Sequence, residues 1–317
     1  MLCCFGQFTL LYSEAEDAMQ ESIMLFFLNI ANPVLDTFAN LASMIGEESF
    51  VIAFVLYIYY NYNKKSGFIL FSSTLYSVIA MGILKSIVRA PRPFQVLDSI
   101  KSKRVETATG YSFPSGHTTT AASSYTTLAL IFRKRAFSII CAIAIALVGI
   151  SRLYLGVHWP NDVFGGLVLG TSISLLAYRP LSSLYDDKDR LMRVTLVVGS
   201  VAAAAALILG VLLNLSLVDE VAFTDLMKVL ALGGGGFLGF VFETKRVNFS
   251  TEGTIGRKIV RFVLGLAGVI IIMALKAVIP SSLAGVGGFL RYGLIGLWAT
   301  GIFPLIGRGL HLFSDGQ

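Results

Sequence analysis

Charged residues are scarce in this sequence of 317 residues, where Asp, Glu, Lys and Arg together make up only 14%. A soluble globular protein usually carries about 25%. Hydrophobic residues reach 55%, and the mean hydropathy is +0.76. Several apolar runs approach the length of about 20 residues that crosses a bilayer. The composition therefore excludes an ordinary soluble domain and predicts an all-α, polytopic membrane protein.

Cysteine is also rare, with copies only at Cys3, Cys4 and Cys141. Their spacing matches neither a disulfide framework nor a zinc site. We interpret Cys3 and Cys4 as a free thiol pair in preference to a lipidation site. Residues 1–18 lack a basic segment ahead of an apolar run, so no cleavable signal peptide is predicted.

Positive charge is concentrated in a few places, although the formal net charge is +6. Most Lys and Arg residues lie between apolar runs, where they orient a protein in the membrane, and this pattern does not indicate nucleic-acid binding. By the positive-inside rule these clusters face the cytoplasm. The opposite ends of the spans then face the periplasm, the cell exterior or an organelle lumen. The clusters occupy residues 64–65, 133–135, 179–193 and 245–261.

The apolar runs predict nine spans, with the N-terminus outside and the C-terminus inside. Ahead of them, residues 14–28 predict a surface helix, and Pro33 predicts a bend in residues 29–47. A polar stretch at 89–112 is too long for a tight turn and predicts a small cap. The predicted spans are residues 49–62, 67–88, 114–132, 136–155, 159–178, 194–215, 221–242, 262–278 and 289–306.

A charged linker at residues 178–193 is the predicted boundary between two sections of the chain. It divides the sequence into an N-terminal interfacial segment (1–47), a membrane core with the candidate site (48–182) and a C-terminal transmembrane extension (183–317). The sixth span is expected to complete the bundle of the core.

Three short segments at the ends of apolar runs carry the candidate chemistry, at residues 85–93, 111–117 and 151–162. In the first, Lys85 offers a point charge and Arg92 a planar fork that matches two phosphate oxygens. Pro91 and Pro93 make a continuous helix unfavourable and orient Arg92. We interpret Lys85 and Arg92 as phosphate-binding residues.

The second segment contains Pro114, Ser115, Gly116 and His117. A proline is favoured in the first turn of a helix, so Pro114 predicts a helix start. Ser115 and Gly116 would then expose backbone N–H groups to an anion, with His117 beside it. Without its neighbours this tetrapeptide would equally fit an ordinary capped helix.

In the third segment His158 and Asp162 are four residues apart, on one helical face if the helix begins there. A carboxylate beside an imidazole sets its tautomer and leaves the other ring nitrogen free to attack. Arg152 adds a further donor for an oxyanion. A pair that serves packing alone is the alternative, but ionisable groups at membrane spans are costly and usually functional.

Together the segments resemble the signature of the type 2 phosphatidic acid phosphatase family, Lys-x6-Arg-Pro, Pro-Ser-Gly-His and Ser-Arg-x5-His-x3-Asp. The resemblance covers residues 30–178 and implies a six-span helical bundle, with about three additional C-terminal spans in this chain. It implies that His158 forms a phosphohistidine, that Asp162 orients it, and that His117 protonates the leaving oxygen. It also implies that the phosphoryl oxygens bind to Lys85, Arg92, Ser115, Gly116 and Arg152.

The expected function is therefore a membrane phosphatase that acts on a lipid phosphate or lipid diphosphate. No cofactor and no metal are expected, because side-chain cations supply the charge and the sequence offers no carboxylate cluster. The expected partners are a lipid phosphate and membrane lipids, without nucleic acid, and a homo-oligomer stays open. Alternatives are an isoprenoid (undecaprenyl) diphosphate phosphatase, a sphingosine phosphate phosphatase, a sugar phosphatase and a lipid transporter or scramblase.

Overall fold

The computed structural model describes residues 14–105 and 108–315, and these are almost entirely helical. Short 3-10 turns at Leu275–Val278 and Ser281–Leu283 and a π-turn at Trp298–Ile302 interrupt the last helices. Strands β1 (Phe249–Ser250) and β2 (Ser314–Asp315) form a small antiparallel pair. The helices are α1 (Glu14–Asn29), α2 (Pro33–Met44), α3 (Glu48–Asn61), α4 (Lys64–Val88), α5 (Pro93–Val96), α6 (Gly116–Phe132), α7 (Arg135–Tyr154), α8 (Pro160–Asp186), α9 (Lys188–Asn214), α10 (Glu220–Arg246), α11 (Ile255–Ala274), α12 (Ala284–Leu297) and α13 (Phe303–Gly309).

Within those described ranges, seven helical segments are long and apolar enough to cross a bilayer, or eight if α1 and α2 form one broken span. Each of the nine predicted spans corresponds to a helix, which confirms the all-α, polytopic membrane fold. Two of the nine are shorter than a full span, because α3 has 14 residues and α6 has 17.

The N-terminal helices α1 and α2 meet at an angle of 119°, so the predicted bend is confirmed. The Asn32 side chain accepts hydrogen bonds from the backbone N–H groups of Val34 and Leu35 and caps α2. The interfacial position of this segment stays a prediction. Cys3 and Cys4 lie outside the described residues.

The predicted linker at residues 178–193 is almost entirely helical, and the boundary between two sections that it was expected to mark stays a prediction. Helix α8 continues through Pro180 to Asp186, and α9 begins at Lys188. Asp187 alone separates them, and its carboxylate caps α9 at the Arg190 N–H. The proposed boundary after residue 182 therefore falls inside a helix. Charged residues marked the edge of the membrane, where a helix can continue into water.

Small hydroxyl side chains hold α4, α6 and α8 together along the core of the bundle. Ser77 donates to Ser123 at 2.9 Å, and Ser123 and Ser174 share a hydrogen bond of 2.9 Å. Thr74 and Ser124 form another at 3.1 Å. Small and hydroxyl residues let membrane helices approach closely. The contacts set the end of α4 against the beginnings of α6 and α8, which carry the candidate site.

The C-terminal helices pack on the other face of α4 through a run of glycines in α10. A Cβ at Gly233 would lie 2.6 Å from Leu75 of α4, and one at Gly235 would collide with the Gly293 carbonyl of α12. Larger residues would separate these helices. The glycine run therefore serves close packing between α10 and its neighbours.

The basic clusters gather at the end of the bundle where α4 begins. Lys64 forms a 2.7 Å ion pair with the fully buried Glu243, and Lys65 forms a 2.7 Å pair with Asp186. The candidate site lies at the other end of α4, near Lys85. The two ends of the bundle thus differ in character, as the positive-inside pattern predicted.

Replacing Gly170 by alanine should destabilise the bundle, because the added Cβ would collide with the Thr119 carbonyl of α6. Overpacking of this kind costs about 1–3 kcal/mol. Gly256→Ala in α11 is the matched control, since its Cβ would meet nothing within 4 Å. Thermal unfolding in nanodiscs should show a lower Tm for Gly170→Ala only. Equal Tm values for both variants would contradict the packing described here.

Candidate active site

The three predicted segments converge at one end of the bundle. Lys85, Arg92, Gly116, His117 and His158 line a single cavity of about 400 Å³. The remaining candidate residues do not line this cavity and are buried: Ser115, Arg152 and Asp162. The structure therefore brings together residues that lie as far apart in sequence as α4 and α8.

Helix α4 ends at Val88, as the downstream prolines predicted. Arg89 follows in the left-handed region, with φ at 52°, and its N–H closes the helix on the Lys85 carbonyl. Pro91 precedes the short helix α5, and Pro93 begins it. Lys85 thus lies in the last turn of α4, where its ammonium group donates to the Tyr111 carbonyl.

Arg92 is only 2% exposed, and its guanidinium group holds the surrounding loops. It donates to the carbonyls of Thr109, Gly110 and Val157 at 2.6, 3.1 and 2.9 Å. Its Nη1 also lies 3.2 Å from Nε2 of His158. The cation therefore organises the loop and stands directly beside a ring nitrogen of His158.

His158 and Asp162 are in contact, although they do not share a helical face as predicted. Helix α8 begins at Pro160, so His158 precedes it. The contact forms because Asp162, in the first turn, folds back over the helix start. Its Oδ2 accepts from the Trp159 N–H at 2.8 Å and lies 3.2 Å from Nδ1 of His158.

Ser112 is a member of this group that the sequence did not single out. It is fully buried and donates to Oδ2 of Asp162 at 2.5 Å, while its hydroxyl lies 3.5 Å from Nδ1 of His158. The one available signal was its position inside the second segment. A serine there is unremarkable until the tertiary structure brings α8 beside it.

Burial lowers the pKa of His158 well below its ordinary value, and the neighbouring charges of Arg92 and Lys85 lower it further. The ring is therefore neutral at pH 7. A neutral imidazole whose Nδ1 faces a carboxylate carries its proton there, so the lone pair lies on Nε2. This lone pair accepts a hydrogen bond from Nη1 of Arg92 at 3.2 Å.

The start of α6 differs in detail from its prediction. Gly116 is the first helical residue and Ser115 its N-cap, so Pro114 lies before the helix and not in its first turn. The Ser115 N–H donates to the Asp162 carbonyl at 2.9 Å and is not free for an anion. The Ser115 hydroxyl accepts from Thr118 at 3.0 Å.

Two buried side chains of the site carry nitrogen atoms without hydrogen-bond partners. Arg152 is fully buried and donates through Nη1 to Ser43 at 2.6 Å, yet its Nε and Nη2 have no hydrogen-bond partner among the described residues. The same holds for Nε2 of His117. An unsatisfied buried donor costs about 1–3 kcal/mol, and more when it is charged. Such donors are expected where a ligand supplies the acceptors.

Metal ligands do not accompany these donors. Across residues 14–105 and 108–315, no group of three or more His, Cys, Asp or Glu side chains is placed to hold a metal ion. From the three segments, the cations Lys85 and Arg92 line the cavity, and Arg152 and Asp162 are buried and do not line it.

The polar segment 89–112 covers the site and is held by side-chain contacts on two sides. Lys103 pairs with Asp36, and Arg104 pairs with Glu47, which ties the described part of the segment to the N-terminal helices. These contacts, with the loop contacts of the site cations, confirm the predicted cap.

The C-terminal extension holds the same cap from the other side. Thr109 donates to Asp225 at 2.8 Å, and Tyr111 donates to Asp219 at 2.8 Å. The Tyr111 hydroxyl holds the pKa of Asp219 below its ordinary value. Lys228 completes the group with a 2.8 Å ion pair to Asp225. The sequence did not indicate these contacts, because they join residues more than a hundred positions apart.

Comparison with known families agrees with this geometry. A model of the PAP2 superfamily matches residues 66–185, which contain every candidate site residue. A second model, the transmembrane extension of PAP2 superfamily phosphatases, matches residues 227–315. The chain belongs to the PAP2 superfamily. The extension that the sequence predicted as additional spans is thus a recognised part of some members.

Curated relatives within the PAP2 superfamily cover only part of the chain. The undecaprenyl-diphosphatase of Sulfolobus acidocaldarius is 34% identical over 114 residues, or 36% of this chain and 54% of that protein. The lipid A 1-phosphatase of Rhizobium etli is 34% identical over 118 residues, or 35% and 48%. The chain thus spans about half the length of these relatives.

Among solved structures, a PAP2-type phosphatidylglycerolphosphate phosphatase from Bacillus subtilis has a TM-score of 0.47 at 25% identity. The match covers 57% of this chain and 90% of that one.

Tungstate, an inorganic oxyanion, should stabilise the protein, because it supplies acceptors for the unpartnered donors. A ligand at a hundred times its Kd adds about 2.7 kcal/mol of stability. The rise in Tm with tungstate should be largely lost in Arg152→Gln. It should persist in Arg133→Gln, an exposed arginine at the opposite end of the bundle. A tungstate shift that survives in Arg152→Gln would exclude Arg152 from the anion site.

Proposed function

We propose that this protein is an integral membrane phosphatase that hydrolyses a lipid phosphate or lipid diphosphate through a phosphohistidine. The observation that supports this most directly is the set of buried, unpartnered donors on Arg152 and His117, beside the His158–Asp162 pair. A neutral imidazole nucleophile next to unsatisfied donors suits transfer of a phosphoryl group.

In the first step, Nε2 of His158 attacks phosphorus while the bond from phosphorus to the ester oxygen breaks. The Nδ1 proton stays directed at Asp162, which stabilises the positive charge that grows on the ring. His117 donates a proton to the leaving oxygen. The lipid alcohol, or the lipid monophosphate from a diphosphate, then leaves.

In the second step, His117 takes a proton from water, and the water oxygen attacks phosphorus. The bond between phosphorus and His158 breaks, which releases inorganic phosphate and restores the neutral imidazole. General acid–base catalysis of this kind typically contributes about 10²–10⁴-fold.

The cations Lys85, Arg92 and Arg152 hold the phosphoryl oxygens as negative charge spreads over them. Arg92 Nη1 stands 3.2 Å from the attacking nitrogen, so a phosphoryl group bound there would meet both at once. The Ser115 hydroxyl and the Gly116 N–H add neutral donors at the start of α6.

A lipid substrate is supported by the position of the candidate site at one end of a membrane bundle. Both curated relatives have names that specify lipid-linked phosphates, an undecaprenyl-diphosphatase and a lipid A 1-phosphatase. An isoprenoid diphosphate or sphingosine phosphate fits the same chemistry, and a sugar phosphate fits less well. Membrane lipids surround the protein, and a homo-oligomer stays an open proposal.

Purified protein with chelator present should release phosphate from at least one of four substrates: phosphatidic acid, sphingosine phosphate, an isoprenoid diphosphate or a hexose phosphate. His158→Gln should lower the rate to background. His117→Gln should lower turnover by roughly 10²–10⁴-fold and accumulate acid-labile phosphoenzyme, because the water step loses its base. His311→Gln, an exposed histidine at the other end, is the control and should retain full activity.

Full hydrolysis by His158→Gln would refute the phosphohistidine mechanism. Failure of the wild-type protein to release phosphate from any substrate, together with lipid movement that persists in His158→Gln, would favour the transporter or scramblase alternative.

We further propose that the site faces away from the cytoplasm. In a chain without its native cysteines, Ser99→Cys lies at the site end and Lys134→Cys at the basic end, and both positions are exposed. An impermeant maleimide should label Ser99→Cys in intact right-side-out vesicles. Lys134→Cys should react only after permeabilisation. The reverse pattern would place the site in the cytoplasm.

A further inference from the structure

The cavity at the candidate site is much larger than a phosphate group requires. It extends from His158 and Lys85 at one end to Tyr59 and Gly67 at the other. At about 1.5 Å per helical residue, Gly67 and Lys85 are about 27 Å apart along α4. This length is close to the hydrocarbon thickness of a bilayer, about 30 Å. The cavity volume of about 400 Å³ is distributed over this length, so the cavity is a narrow channel.

The channel has two walls, which come from different parts of the chain. Helices α3 and α4 supply one wall, and the C-terminal extension supplies the other through α10, α12 and the π-turn. Apolar side chains dominate both walls. Those of the extension include Leu232, Phe237, Tyr292, Ile295 and Ala299.

Polar side chains deep in the channel are already satisfied by the protein. Thr300 donates to the Gly236 carbonyl at 2.7 Å, and Tyr59 donates to Glu243 at 3.1 Å. Ordered water needs two to four polar partners, so these lining groups offer it little. The charged side chains that line the channel lie towards its site end: Lys85, Arg92, Lys228, Glu47, Glu48 and Asp225. The lining thus changes from charged to apolar along its length, which matches an amphiphile with a phosphate head.

Glycines of the extension line the channel where its walls come closest. Gly236 lines it, and a Cβ there would lie 2.6 Å from the ring tip of Phe71 on the opposite wall. Gly296 of α12 lines it as well. At Gly236 the two walls are therefore in close contact, and a larger residue there would push them apart.

We propose that the C-terminal extension forms the second wall of a binding channel for one apolar chain of the substrate. The chain lies between α4 and α10–α12, with the phosphate at His158. The assignment of the head group rests on the proposed function, whereas the apolar occupant follows from the lining and its continuity with the site.

Leu232→Trp tests the proposal, because Leu232 is a half-buried side chain of the extension that lines the channel. Leu294→Trp on α12 is the matched control, since Leu294 is 37% exposed on the outer surface and does not line the channel. The substrates are butyl, octyl and hexadecyl phosphate, and the protein is held in phosphatidylcholine nanodiscs.

For the wild-type protein, kcat/KM should rise from butyl to hexadecyl phosphate. The ratio of kcat/KM for hexadecyl phosphate to that for butyl phosphate should fall by about tenfold or more in Leu232→Trp, because indole fills the channel. The ratio in Leu294→Trp should equal that of the wild type. Val78→Phe changes the α4 wall of the channel and should lower the ratio as Leu232→Trp does.

An unchanged ratio in folded Leu232→Trp and Val78→Phe would overturn the proposal and leave the chain in the surrounding lipid. A binding measurement distinguishes this result from failure of the proposed function. If the wild type hydrolyses none of the three esters, the increase in Tm with hexadecyl phosphate over butyl phosphate is measured instead. Its loss in Leu232→Trp and Val78→Phe but not in Leu294→Trp supports the channel without catalysis, and its absence in the wild type refutes the channel.

Discussion

Three buried cations stand at one end of a membrane bundle against a single buried carboxylate in the same site. Lys85, Arg92 and Arg152 are at most 7% exposed, and Asp162 is 1% exposed. Buried charge is costly unless it is paired or hydrogen-bonded. Hydrogen bonds from Arg92 to the loop carbonyls offset part of this cost, and the carboxylate of Asp162 offsets another part. The donors of Arg152 that have no partner among the described residues are suited to an anion.

The rest of the bundle serves this end of the molecule. Hydroxyl side chains lock α4, α6 and α8 at close range, so three segments from distant parts of the sequence meet within hydrogen-bonding distance. The cap over them is held by ion pairs to the N-terminal helices and by Asp219 and Asp225 of the extension. The extension therefore stabilises the loops of the site as well as facing its cavity.

The contacts of the extension with α4 and with the cap explain why a PAP2 core can carry additional helices without loss of its site. The extension packs on a face of α4 that the core leaves free, and glycines in α10 allow close approach there.

Composition and spacing alone determined the membrane class, the helical segments and the candidate residues, because hydropathy and side-chain chemistry are local properties. They did not show that residues 178–193 are almost entirely helical, since a run of charged residues does not by itself end a helix. They also assigned the Ser115 N–H to an anion, whereas the Asp162 carbonyl occupies it. Only the tertiary structure decided the roles of Ser112 and Asp225 and the two-walled cavity. Those depend on contacts between helices distant in sequence, and no local pattern encodes which small polar side chain will face which partner.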